Sequence, residues 1–254
     1  LSLSPLGASR SLAAVFTPIK SGGLVDEVCR RIELAVESGL LASGQRLPNE
    51  IELAAALGVS AVTAREALSQ LRGQGLIRTT RGRSGGSFVT ENSFPSAGRA
   101  REKLLGLTRL QITDLGLHFQ AIAVACAGVA ARRSSTEDVE ALRQYIRPET
   151  AAGESATAFA WRLSAAEFLL ELASVARSAR LARELLHLQA DVGTMTLLPF
   201  EDPGFCEKTA AMNHAITEAV ATHDSEAAEA RTKELTTATT NWLLAEHSDS
   251  QNKH

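Results

Sequence analysis

The chain has 254 residues, 44% of them hydrophobic, and a formal net charge of -3. That length suits one large or two ordinary domains, the hydrophobic share is enough for a proper core, and the net charge does not by itself suggest nucleic acid. Cys29, Cys126 and Cys206 are isolated, odd in number and without C-x-x-C spacing, which argues against a disulfide framework and a cysteine zinc site and fits a reducing cytosol.

The first twenty residues have no basic start ahead of an apolar core, and Pro5, Gly7 and Pro18 interrupt them. They are expected to be a flexible arm, neither a signal peptide nor a membrane span. From Leu24 the apolar residues Leu24, Val28, Ile32, Leu34 and Val36 predict a helix ending near Gly39. Asn49 then precedes Glu52 by three residues, a capping box that predicts a short helix from about Glu50 through Leu53, Ala54 and Leu57. Gly58 breaks it and Ser60 caps the next helix, whose Val62, Leu68 and Leu71 are expected inward and Ser60, Thr63, Arg65 and Arg72 outward. Two helices joined by so tight a turn are a helix-turn-helix.

After Gly73 and Gly75, the runs Leu76-Ile77-Arg78-Thr79-Thr80 and Ser87-Phe88-Val89-Thr90 predict two strands around a glycine-rich loop, the wing of a winged helix. The basic residues Arg46, Arg65, Arg72, Arg78, Arg81 and Arg83 outnumber the acids Glu50, Glu52 and Glu66 in this stretch, while the chain beyond Thr90 is net acidic. Residues 91–98 have linker composition.

Everything further reads as helix. Thr108 to Arg133 is apolar almost all round, with Leu115, Phe119, Ile122, Cys126 and Val129 in one stripe, and predicts a buried central helix. Shorter periodic runs follow at Thr136 to Ile146, at Trp161, Ala165, Phe168, Leu172 and Val175, and at Leu181, Leu185, Leu188, Val192 and Met195. Phe205, Met212, Ile216 and Val220 carry a fifth helix, and Asp224 caps a last one with Leu235, Ala238 and Trp242. The fold class expected is mainly α, a winged helix-turn-helix followed by an antiparallel helical bundle. Its divisions are an arm at 1–20, the winged domain at 21–90, a linker at 91–104, an effector-binding and dimerisation domain at 105–247 and a tail at 248–254.

Leu47-Pro48-Asn49-Glu50, Leu53-Ala54, Val59-Ser60, Thr63, Arg65-Glu66-Ala67-Leu68, Gly75-Leu76-Ile77 and Gly85-Gly86-Ser87-Phe88-Val89 resemble, in spacing and order, the N-terminal domain of the GntR family of bacterial transcription factors. That family often has Arg directly after Val-Ser, where this chain has Ala61, which implies the loss of one phosphate or base contact. The helical part resembles the FCD type of that family, whose bundle binds a small effector and forms the dimer. Its third helix commonly reads D-x-x-F-H-x-x-L, and here Phe168 and Leu172 match while Ala165 and Leu169 stand at the metal-ligand positions. The later family histidines fall on Asn213 and Leu235, in register with Ile216, Ala219, Val220 and Asp224. Only Asn213 carries even a weak oxygen donor, so neither a metal nor another cofactor is expected. His214 would need a one-residue shift, which rotates a side chain by about 100° and breaks the match at Ile216 and Asp224.

The resemblance implies a DNA-binding transcriptional regulator, more specifically a repressor, acting as a cytoplasmic homodimer away from any membrane. Its partners would be a double-stranded operator and a small-molecule effector of unknown identity. At the DNA, Arg65 is expected to make the central contact, with Arg72 beside it. Arg46, Arg81 and Arg83 are expected on phosphates or in the minor groove, and Asn49, Glu50, Ser60, Thr63 and Gly82 on the same face. Glu66 is expected to pair with a neighbouring Arg. For the effector the expectation is an apolar pocket with Phe119, Trp161, Leu169 and Met195, and with Asn213 and Gln189 as polar groups. Residues 115–122 hold no Arg or Lys, so that pocket is expected to depend little on carboxylate capture. Two alternatives stand beside this reading. One is a constitutive DNA-binding dimer without effector, the other an all-helical enzyme. No nucleophile-base or paired-carboxylate site supports the enzyme, and Glu167 and Glu171 read as a solvated face.

Overall fold

Side-chain caps set the boundaries of the first elements in the computed structural model, which describes residues 23–37, 40–41, 44–80, 82, 85–90, 97–150 and 155–251. The chain divides into two compact units, residues 1–94 and 95–254. In the first, helix α1 (Leu24–Glu37) buries Val28, Cys29, Ile32, Ala35 and Val36. Leu24, expected on that stripe, is exposed, because it opens the helix one turn ahead of the packed face.

Helix α2 (Glu50–Leu57) starts at the capping box: Asn49 Oδ1 accepts from the Ile51 and Glu52 amides, and Glu52 Oε2 accepts from the Asn49 amide. Gly58 ends it at φ 66°, a left-handed conformation that costs glycine least. Ser60 Oγ accepts from the Thr63 amide and opens α3 (Ala61–Gly73). That helix buries Ala64, Ala67, Leu68 and Leu71, an i, i+3, i+4, i+7 stripe, and packs on α1 and α2. Val62, expected inward, is 67% exposed. Lying two residues before Ala64, it sits about 200° around the helix from the buried stripe.

Strands β1 (Ile77–Thr80) and β2 (Gly86–Val89) pair antiparallel, with Ile77 opposite Val89 and both buried. The segment before α2 joins their edge. The Leu47 amide donates to the Ser87 carbonyl at 2.8 Å, the Val89 amide donates to the Gln45 carbonyl at 3.0 Å, and Arg46 bridges Phe88. This is the expected winged helix-turn-helix.

The second unit contains α4 (Ala97–Leu105), α5 (Arg109–Arg133), α6 (Thr136–Arg143), α7 (Ala158–Val175), α8 (Ala179–Val192), a 3-10 segment (Gly193–Glu201), α9 (Pro203–Ala221) and α10 (Ser225–Gln251). It is the expected helical bundle, with no strand among its described residues. Residues 97–104, expected as linker, form most of α4. No breaker follows Gly98, and Ala100 and Leu104 enter a core with Ile112, Met195, Leu198 and Leu243. At the other end α10 runs into the expected tail, as far as Gln251.

Helix α5 is not buried all round. Its fully buried residues are Ile112 and the small set Ala123, Cys126, Ala127, Gly128, Ala130 and Ala131, whereas Leu110 and Leu117 are exposed. Small residues let α10 approach closely: a Cβ added to Gly116 would stand 2.5 Å from Thr240 Oγ1, and one on Gly128 would collide with Glu229. By length and composition α5 is apolar enough to cross a bilayer, yet its small-residue face is taken up by α10. Helix α8, expected to continue through Met195, ends at Val192, where Gly193 takes φ 50° and the 3-10 segment begins. Glu171, expected on a solvated face, is fully buried, because α7 is enclosed by α5, α6, α8, α9 and the 3-10 segment.

Candidate functional site

Two regions carry the expected site residues, one in each unit. On the first, the outer side of α3 exposes Ser60, Val62, Arg65 and Arg72, with Thr63 half-buried. Ser60 Oγ and Thr63 Oγ1 lie 2.8 Å apart, so the cap hydroxyls are ordered at the helix N-terminus, where the backbone dipole favours phosphate. Arg65 Nε donates to Glu50 Oε2 at 2.8 Å. Glu50, at the start of α2, is therefore the acid that pairs with Arg65. The reason is tertiary: α2 and α3 cross, and the crossing brings together residues fifteen apart in the chain.

Arg72 Nε donates to Thr79 Oγ1 at 3.0 Å, tying the end of α3 to β1. Arg46 Nη2 donates to the Gly85 carbonyl at 2.8 Å, and a Cβ on Gly86 would stand 2.7 Å from Arg46 Nε, so glycine there lets the guanidinium lie against the hairpin. Arg78 stacks on the Phe88 ring at 5.3 Å. Asn49 is committed to its cap, and Gly82 takes φ 115° at the wing tip. Arg81 and Arg83 lie outside the described residues. Sequence reasoning missed Val62, whose exposed methyl groups on this face suit an apolar contact with a thymine methyl. The α-helical period counted from Ala64 was the signal available.

The second region is a cavity whose empty volume, counting its mouth, is about 550 Å³. Phe119 of α5, Arg162, Ala165 and Leu169 of α7, Gln189 and Val192 of α8, Phe200 of the 3-10 segment and Leu235 of α10 are among its walls. A neighbouring space of about 400 Å³ shares Phe119, Val192 and Thr196 with it and includes Met195. Phe119, Leu169 and Gln189 thus line the first space, and Phe119 and Met195 the second. Trp161 and Asn213 line neither space. Trp161 packs against Phe200, Phe205 and Cys206 and takes the Arg147 guanidinium on its ring, while Asn213 is buried in α9. Arg162 is the charged wall residue that sequence reasoning missed, along with the wall threonines Thr196, Thr209, Thr236 and Thr239. Its signal was a lone charge at i, i+3, i+7 with Ala165 and Leu169.

An exposed helix beside a wing, joined to a helical domain that carries a cavity, is the architecture of a winged-helix protein with a second, all-helical unit. A family model described as "Bacterial regulatory proteins, gntR family" matches residues 24–89, and one described as "FCD domain" matches residues 119–238. The chain is 36% identical over 215 residues to RmpR, a proposed HTH-type transcriptional regulator of Mycobacterium gastri, covering 82% of this chain and 76% of that protein. This chain belongs to the gntR family of bacterial regulatory proteins and is a transcriptional regulator with an FCD domain. A proposed L-lactate dehydrogenase operon regulatory protein of Escherichia coli (strain K12) is 41% identical over 66 residues, 26% of this chain and 25% of that one. Among solved structures, E. coli McbR/YncC shares the fold at 17% identity with TM-score 0.52, covering 90% of this chain and all of that one.

The metal that FCD domains commonly hold does not fit these residues. Ala165, Leu169 and Leu235 present hydrocarbon to the cavity, Asn213 stands off its lining, and His214 is exposed. No group of three or more His, Cys, Asp and Glu suited to a metal occurs among the described residues. Purified protein dialysed against metal-free buffer is expected to hold no stoichiometric zinc, nickel or manganese by elemental analysis. One ion per chain would show a ligand set other than these four positions.

Proposed function

We propose that the protein is a repressor that binds a two-fold symmetric operator as a homodimer in the cytoplasm and releases it, or tightens on it, when a small molecule enters the helical domain. The observation that carries this reading is the N-terminal half of α3, where Val62 and Arg65 stand exposed about one turn apart and the Ser60 and Thr63 hydroxyls meet at the helix start, beside the wing. One such helix reads only a few base pairs, and a symmetric dimer doubles the readout. Arg65 and Arg72 would face bases, with Arg46, Arg81, Arg83, Asn49, Glu50 and Gly82 around them at the backbone. Repression by occupancy needs no surface beyond this one. An effector must bind one placement of the winged domains better than the other, since equal affinity shifts nothing.

Footprinting the region upstream of the gene tests the reading. The expected result is protection of a short palindrome, with two chains per duplex. An unprotected region, or one chain per site, overturns it. Operator affinity indifferent to every ligand that stabilises the protein would favour the constitutive dimer.

A further inference from the structure

The start of α3 is more apolar on its open side than a helix surface needs to be. Val62 is 67% exposed, and Ala61, the first residue of the helix, is exposed beside it. Valine forms helix less readily than the straight-chain residues, because its branched side chain loses rotamer freedom against the preceding turn, so this open position gains no local stability from it. The first turn of α3 also holds no acid, whereas α2 opens with Glu50 and Glu52. A helix N-terminus kept free of acid remains attractive to a phosphate backbone, and here it carries open methyl groups toward whatever lies beside that backbone.

The polar groups of the first two turns are mostly committed. Ser60 Oγ accepts from the Thr63 amide, and the Ser60 and Thr63 hydroxyls lie 2.8 Å apart. Arg65, held only by an exposed ion pair with Glu50, can move to a base edge. Glu66 is exposed, and an ionised carboxylate only accepts. The thymine edge in the major groove offers an acceptor, O4, and the C5-methyl group, so Glu66 has nothing to take from it. Beside Arg65 the reading surface is therefore hydrocarbon, and the base-edge feature that hydrocarbon recognises is the thymine methyl.

We propose that Val62 is a specificity-determining residue, packing its methyl groups, with that of Ala61, on the C5-methyl of one thymine in each operator half-site. Val62 and Arg65 are three residues apart, about 60° around the helix and about 4.5 Å along it. Base pairs stack about 3.4 Å apart, so this thymine lies one or two base pairs from the guanine that Arg65 takes. Cytosine in its place lacks the methyl group and would set its N4 donor against hydrocarbon without a partner. The proposal rests on α3 being the helix that reads the operator.

Duplexes selected from a random library by the full-length protein supply the probe. Each thymine of the selected half-site is then replaced by uracil, which differs only in lacking the methyl group, and affinity is read by fluorescence anisotropy at fixed salt. Uracil at one symmetric pair of positions, next to a guanine or one base pair removed from it, is expected to weaken binding about tenfold, the worth of two buried methyl groups. Val62→Ala is expected to bind the thymine duplex more weakly by a similar factor and to bind the thymine and uracil duplexes alike. Its side chain is exposed, so the variant is expected to keep the wild-type circular dichroism spectrum. A selected site with no uracil-sensitive thymine, or a sensitivity that Val62→Ala leaves intact, overturns the role of Val62 and leaves α3 as the reading helix. Failure to select any duplex overturns the DNA-reading function itself, and this contact with it.

Discussion

Replacing Arg65 with alanine is expected to weaken binding to the natural operator roughly 5- to 150-fold, the worth of a lost base-edge contact. In the free protein this exposed guanidinium is paired with Glu50 at 2.8 Å. An exposed ion pair contributes little to stability and holds the side chain only loosely, so exchanging Glu50 for a guanine edge costs little. Arg65→Ala therefore removes a DNA contact without damaging the fold, whose local packing rests on Ala64, Ala67, Leu68 and Leu71. Glu50→Gln works the other way: it frees Arg65, removes an acid from the phosphate-facing side and is expected to leave affinity equal or higher. Fluorescence anisotropy with a labelled operator at fixed salt measures both, and circular dichroism checks folding. Unchanged affinity in folded Arg65→Ala would remove α3 from the role of reading helix. A base contact and a phosphate contact also separate in a salt titration, since loss of one phosphate contact flattens the slope of log affinity against log salt by about 0.9.

Phe168→Ala is expected to cost about 3–5 kcal/mol of unfolding free energy, the range for a fully buried aromatic truncated in a core that cannot collapse around the void. Phe168 is 0% exposed, and its helix continues into buried Leu169, Leu170, Glu171, Leu172 and Ala173. With α7 packed on four other helices and the 3-10 segment, no neighbour is free to fill the space. Urea titration reads the loss as a lower midpoint at unchanged slope. A change below about 1 kcal/mol would mean that the site relaxes as a surface position does, contrary to its burial.

Much of the first unit was legible in the sequence because its signals are local. Asn49 with Glu52, Gly58 and Ser60 act on backbone groups within four residues of themselves, so start, stop and turn follow from neighbours in the chain. The wing is similar: two short runs close in sequence meet in one register. The bundle helices were legible as elements through their apolar period, less so in their extent, since Gly193 stopped α8 short of Met195 and Ala100 with Leu104 drew expected linker into a helix. The absent metal ligands were also visible, since a residue type at a position needs no coordinates.

What the sequence by itself determined, then, is the order of elements, the two-part architecture and the chemical types along each helix. Tertiary structure decided which groups meet. The pairing of Arg65 with Glu50 across fifteen residues arises where α2 crosses α3. Val62 turned outward because the stripe begins at Ala64, and Glu171 turned inward because five elements surround α7. Arg162 is the sharpest case. In sequence it is one arginine among many, and only the convergence of α5, α7, α8, α10 and the 3-10 segment removes water from its guanidinium while leaving a cavity beside it. Desolvation is a property of what surrounds a group in three dimensions, and the chain's linear order does not encode it locally.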